Sequence, residues 1–256
     1  NLSASLANTN NTSISDGNGN TFSLGGQNQQ GGSQVTFLGH SLGGIAGSTV
    51  LGIAPPSLIS SATLAMPGGG IAKLLDGSAA FGPTVTAGLA SAGVSEGTPN
   101  FETFLSFAQQ AVDTVDPINW AAAASLQHNI HLIEVVGNVA EGGSNLSDTV
   151  VPNSVPNDPA VPGEVVVEPG PLGGTDPLIA ALGLPIFDGA GTTMTSGSGA
   201  VQFPAGDHGS ILSPAADCPT TLEMQTQAVT FLATDGGSLN IGSSNPAACA
   251  AFAPDP

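Results

Sequence analysis

Gln34-Val35-Thr36-Phe37-Leu38-Gly39-His40-Ser41-Leu42-Gly43-Gly44 decides how the rest of this chain is read. Residues 34–38 are short, apolar and rich in β-branched and aromatic side chains, which suits a strand. Ile45 to Leu51 reads as a small-residue helix, ended by Gly52 and Pro55-Pro56. Strand, tight turn and helix follow one another, with Ser41 on the turn. A serine hydroxyl is a weak nucleophile and needs exposed presentation to a base. Gly39 and Gly43, two residues to either side, let strand and helix approach closely. The same turn aims the Leu42 backbone N–H at a reacting carbonyl, where it can donate to an oxyanion.

The base and its supporting acid are sought downstream. His208 sits in Gly206-Asp207-His208-Gly209, after an expected last strand and before an expected last helix. His40 adjoins the nucleophile but points elsewhere on so sharp a turn, so packing or a backbone hydrogen bond is its expected role. His128 and His131 open a strand and read as structural. The acid must follow a late strand and precede the histidine. Asp148 does, with Glu141 and Asp158 as competitors on the same loop. A buried carboxylate there fixes the imidazole tautomer and stabilises the imidazolium. Asp207, next to His208, is read as a turn former through its own backbone.

The chain has 256 residues, enough to bury a sizeable core. Forty per cent apolar residues argue for a globular protein, and only 8% are charged. Lys73 is the sole Lys or Arg against nineteen acids, giving a net charge of −18. Such a chain repels phosphate backbones, so nucleic acid is excluded as a partner. No apolar run reaches the ~20 residues that span a bilayer, and Asn1 opens without a signal-peptide pattern. Cys218 and Cys249 lie 31 residues apart. They fit neither a metal spacing nor a redox pair and are expected to form a disulfide. Scarce lysine, abundant Gly, Asn and Ser, and a disulfide suit a secreted or cell-surface bacterial protein.

Along the chain, residues 1–33 read as a helix end, Asn1 to Ala7, and then an exposed Asn/Gly/Ser/Gln-rich loop. Residues 53–127 are apolar and rich in Ala and Gly. Helical stretches are expected near 57–65, 84–92 and 101–112, with no strand pattern, as an apolar cap insertion. The alternative is ordinary packing helices. His131 to Gly137 is a strand buried on both faces, followed by Pro/Gly-rich loop to about 175. Asp176 to Leu182 is a short helix, Val201 to Phe203 a last strand, and 219–233 the closing helix. Leu222, Met224, Ala228 and Phe231 share much of its apolar face. Residues 234–256 form a tail tethered by the disulfide.

Taken together, several runs resemble one family. They are Phe37-Leu38-Gly39-His40-Ser41-Leu42-Gly43, Asp148-Thr149-Val150-Val151-Pro152-Asn153, Gly174-Thr175-Asp176-Pro177-Leu178, Ala205-Gly206-Asp207-His208-Gly209-Ser210 and Glu223-Met224-Gln225-Thr226-Gln227. They look like the C-terminal half of the bacterial virulence-factor lipases, which are extracellular lipases and lysophospholipases. The resemblance covers about residues 34–233. It implies an α/β-hydrolase fold with a mostly parallel sheet and a helical cap, and hydrolysis of lipid carboxylic esters by Ser41, Asp148 and His208. No cofactor or metal is implied. In that fold several strands precede the nucleophile, yet only forty residues precede Ser41 here. A companion N-terminal fragment of the same precursor is therefore expected to supply the missing strands and the second oxyanion donor. A peptidase or amidase is disfavoured because nothing supplies a cationic pocket. A non-catalytic surface-binding module is the rival of another class.

Overall fold

The computed structural model describes residues 12–15, 21–24, 26–27, 33–156, 169–187, 193–194, 197–242, 244 and 247–249. Asn1 to Ala7 and Asp158, both weighed above, lie outside them. Strands β1 (Thr12–Ser15) and β2 (Thr21–Leu24) form an antiparallel ribbon. Strand β3 (Gly26–Gln27) pairs antiparallel with Ser33 and Gln34 of β4 (Ser33–His40). The N-terminal region is therefore not the unbroken polar loop expected of it. Threonine and phenylalanine in Thr21–Leu24 favour extended backbone even where the composition around them is polar.

Helix α1 (Leu42–Ile53) follows β4 directly, and β5 (Ile59–Ala65) comes next. That strand corrects the reading of 57–65 as helix and of 53–127 as one helical insertion. All of Ile59–Ala65 except Ser60 is buried, so no polar alternation marks it. Its brackets, Pro55-Pro56 before and Pro67-Gly68-Gly69-Gly70 after, were the usable signal. Helices α2 (Ile71–Gly77), α3 (Gly82–Ser91) and α4 (Pro99–Val112) then form a helical excursion, the last two close to expectation. Helix α5 (Pro117–Gln127) instead packs on α1 and returns the chain to β6 (Asn129–Val135). Asp116 caps α5, accepting from the Ile118 N–H at 3.0 Å with Pro117 in the first turn.

The remaining elements are α6 (Thr175–Leu182), β7 (Ile186–Phe187), β8 (Thr193–Met194), β9 (Gly199–Phe203), α7 (Cys218–Ala233) and β10 (Leu239–Asn240). The main sheet runs β3-β4-β5-β6-β9-β7, and all but β3 are parallel. The fold is thus α/β with a mostly parallel sheet.

Period-two alternation divides each central strand between two cores. Ala62, Leu64, Ile130, Leu132 and Ala200 join Leu51 of α1, Ala121 and Ala124 of α5 and Leu178 and Ile179 of α6 on one side. Ala65, Ile133, Val135, Val201 and Phe203 meet Met224 and Phe231 of α7 and Leu239 of β10 on the other. Each fully buried Leu, Ile or Phe contributes roughly 1.5–3 kcal/mol. His131 is wholly buried on the second side, its ring 5.5 Å from that of Phe231, and burial pushes it down to about 3. It is a neutral core residue, as its place in the strand suggested.

Cys218 and Cys249 are bonded, tying the tail to the start of α7. Glu223 adds to the tether by accepting from the Gly242 and Ser244 N–H groups. Closing a loop of this length stabilises by about 3–4 kcal/mol through the unfolded chain. Reduction is expected to lower the urea midpoint accordingly. Intact mass after alkylation without reductant should show no alkylated thiol, and two would exclude the bond.

Candidate functional site

Three strand ends meet at the candidate site. Ser41 terminates β4 with φ 55° and ψ −123°, a conformation that costs a non-glycine residue about 1–3 kcal/mol. Its N–H donates to the Ala65 carbonyl at 2.9 Å, fixing the turn against the end of β5. Its carbonyl accepts from Gly44 and Ile45, which starts α1. No side chain caps α1, so the N-terminal amides that include Leu42 stand at the positive end of the helix. Leu42, beside Ser41, is 72% exposed.

Gly39 fulfils its expected role. A Cβ there would lie 2.5 Å from the Gly43 carbonyl oxygen and 2.7 Å from the Phe37 ring. Gly43 does not, because a Cβ there meets nothing within 4 Å. Close approach is set by Gly39 against the Gly43 backbone, and Gly43 itself faces open space.

Asp148 follows β6 on a loop that begins at Val136. Its N–H donates to the Val135 carbonyl at 3.0 Å, and its Oδ1 accepts from Val150 and Val151 at 2.8 and 3.1 Å. Its other oxygen accepts from His208 Nδ1 at 2.6 Å. The Asp148 side chain is 2% exposed and that of His208 15%. The carboxylate is held by the backbone, and the imidazole keeps one edge toward solvent. Glu141 is exposed and does not enter this arrangement.

His208 rides on a turn built by its neighbours. Asp207 Oδ1 accepts from the Gly209 N–H at 2.8 Å and from Ser210 Oγ at 3.0 Å, the turn-forming role expected of it. His40 Nε2 donates to the His208 carbonyl at 2.6 Å, and the two rings lie 4.9 Å apart. The residue before Ser41 therefore holds the backbone of His208. Asp148 and His208 are in direct contact, and Ser41 is joined to them through His40. Among the described residues, Ser41 Oγ makes no hydrogen bond to His208. His128 is structural, its ring nitrogens 2.9 Å from the Ala54 and Ile59 carbonyls.

A polar cluster that the sequence pattern does not announce centres on Glu134. Glu134 is 1% exposed within β6. Its Oε1 accepts from Asn153 Nδ2 at 2.6 Å and its Oε2 from Gln202 Nε2 at 2.9 Å, and it hydrogen-bonds Asp176. A lone carboxylate inside His131-Leu132-Ile133-Glu134-Val135-Val136 was the signal that could have found it.

A cavity of about 260 Å³ between α2, α4, α5 and residues 169–173 is lined by Gly70, Lys73, Asp113, Asp116 and Leu172. It does not include Ser41, Asp148 or His208. The buried Asp116 carboxylate is already engaged by Gly70, Ile71, Ile118 and Gln109. Among the described residues no group of His, Cys, Asp and Glu is arranged to hold a metal ion, and no helix is long and apolar enough to cross a membrane. Comparison with family models, with curated proteins and with solved structures found no match to this chain.

Proposed function

We propose that the chain is a serine carboxylic-ester hydrolase of the α/β-hydrolase type, acting on lipid-like or apolar esters. The Asp148–His208 pair at 2.6 Å, set beside the strained Ser41 turn, carries this reading. In the cycle, His208 Nε2 takes the Ser41 proton as Oγ attacks the ester carbonyl. The Leu42 N–H donates to the oxyanion, and a second donor completes the hole. Collapse expels the alcohol, which takes the proton back from His208, and leaves an acyl-serine. Water, deprotonated by the same imidazole, then releases the acid and restores Ser41. Asp148 holds Nδ1–H throughout and stabilises the imidazolium.

Exposed Leu42 beside the nucleophile and exposed Leu212 just beyond the histidine turn favour acyl chains over small anions. Lysophospholipids and synthetic polyesters fit the same site. The disulfide and the acidic, lysine-poor surface support secretion or display at a bacterial cell surface. A fluorophosphonate probe should label Ser41, and p-nitrophenyl esters of graded length should be turned over. A chain that does neither is a binding module, and the hydrolase reading fails.

The same reading includes a companion segment from the precursor. Among the described residues β4 pairs on its outer side only at Ser33 and Gln34, so Val35 to His40 present a free edge. In this fold the nucleophile strand lies mid-sheet, and an open apolar edge invites pairing. Denaturing gels of active material should show a second band. Full activity from a monomer of residues 1–256 alone would overturn the companion.

A further inference from the structure

We propose that Glu134 is a positioning residue that shares one proton with Asp176, and so keeps the Asp148 loop in register with the strand that leads to His208. The proposal rests on the hydrolase reading above.

Four elements converge on this carboxyl group. It belongs to β6, whose end receives the Asp148 N–H at Val135. Asn153, on the loop of Asp148, donates its amide to Oε1. Gln202, on the strand before the His208 turn, donates to Oε2. Asp176, in the first turn of α6, shares the remaining hydrogen bond. The backbone repeats the tie, because Thr175 N–H donates to the Pro152 carbonyl at 3.1 Å and Asp176 N–H to that of Asn153 at 2.8 Å. Gly174, with φ 115°, allows this contact, since a Cβ there would sit 2.6 Å from the Asn153 carbonyl oxygen. The Glu134 carboxyl group and the Asp176 backbone N–H thus both hold Asn153, on the segment that carries Asp148.

Chemistry then requires a proton. Two carboxylates in hydrogen-bond contact at a desolvated site cannot both be ionised. Asp176 is the titratable group facing Glu134. The acid loop and β9 bring only the amides of Asn153 and Gln202, and β5, on the far side of β6, has no charged residue. Burial, and after it the Asp176 charge, pushes Glu134 up to about 8. Burial raises Asp176 as well, so the pair keeps one proton between its two carboxyl groups at neutral pH. The unfolded chain releases this proton at the ordinary carboxylate value. Between that value and about 8 the folded state binds more protons, so stability falls as pH rises and levels off above. Above about 8 the two charges repel across the contact between α6 and the acid loop.

The test compares wild type, Glu134→Gln, Asp176→Asn and Glu134→Ala from pH 5 to 10, reading kcat, KM and thermal midpoint. Glu134→Gln, which mimics the protonated acid, should keep kcat at pH 7 within about threefold. Wild-type kcat should fall above pH ~8, a limb that Ser–His–Asp chemistry does not itself produce, and both isosteric variants should carry it at least one unit higher. Glu134→Ala should lose kcat tenfold or more with KM within about twofold, because Glu134 lies beneath the site rather than in it. An alkaline limb unchanged in both isosteric variants, or superimposable midpoint curves for wild type and Glu134→Gln, would overturn the shared proton. The midpoint curves need no substrate. If they behave as stated while every ester is left intact, the hydrolase reading fails and takes the positioning role with it, leaving the proton sharing.

Discussion

On the proposed hydrolase mechanism, Ser41→Ala is expected to reduce ester turnover on the order of a million-fold while the fold is retained, because such a triad acts as a unit and little survives the loss of its nucleophile. His208→Ala should be almost as severe. Asp148→Asn should cost about ten-thousand-fold, since an amide stabilises the wrong imidazole tautomer. The geometry supports Asp148 over Glu141 for the proposed acid. Asp148 already spends one oxygen on two backbone amides and gives the other to His208 at 2.6 Å, whereas Glu141 is exposed on the loop. Glu141→Ala should leave turnover within about twofold. Wild-type rates in Asp148→Ala, with loss in Glu141→Ala, would reverse the assignment. Stability offers a second readout. Ser41 sits at φ 55°, so Ser41→Gly should relieve strain and raise stability by roughly 1 kcal/mol while turnover is lost. A variant destabilised by that change would show that the turn is not strained as described.

What the sequence made legible follows from how local each signal is. The strand, turn and helix around Ser41 announce themselves within a few residues, as does the Gly-flanked turn of His208. Chain order and the family resemblance both pair Asp148 with His208, and the two residues lie on loops leaving adjacent parallel strands, β6 and β9. Strand β5 was missed because complete burial removes the alternation that identifies a strand. Ser61 and Thr63 stand buried among Ala and Leu, so the segment has neither a polar face nor a helical one. Glu134 escaped for a related reason. Its partners Asn153, Asp176 and Gln202 come from three separate segments, and no spacing rule links them. The roles of Gly39 and Gly43 also needed the structure, because the pattern treats them as equivalent and only one is crowded.

That inequality gives the last large effect. Gly39→Ala is expected to disrupt the Ser41 turn, lowering stability by about 1–3 kcal/mol and, on the proposed mechanism, turnover at least a hundredfold. The added methyl would meet the Gly43 carbonyl oxygen at 2.5 Å and its carbon at 2.7 Å, and these atoms belong to the first turn of α1. Backbone of this kind cannot swing aside as a side-chain end can. Relief must come from moving α1 away from β4, yet α1 is pinned. Ser41 N–H is tied to Ala65, and a Cβ on Gly44 would already lie 3.1 Å from Pro67 Cβ. The Phe37 ring, 2.7 Å from the same added carbon, closes the other escape, being itself pressed against Gly47. Any shift displaces Ser41 Oγ and the Leu42 amide relative to His208, so on the proposed mechanism rate is lost even where the chain still folds. Gly43→Ala is the matched control. Its added methyl enters open space, and within a helix alanine is favoured over glycine by up to about 1 kcal/mol. Its thermal midpoint should stay level or rise. Equal destabilisation of the two variants, measured by urea unfolding, would show that glycine is needed at both positions for backbone freedom rather than at Gly39 alone for close approach.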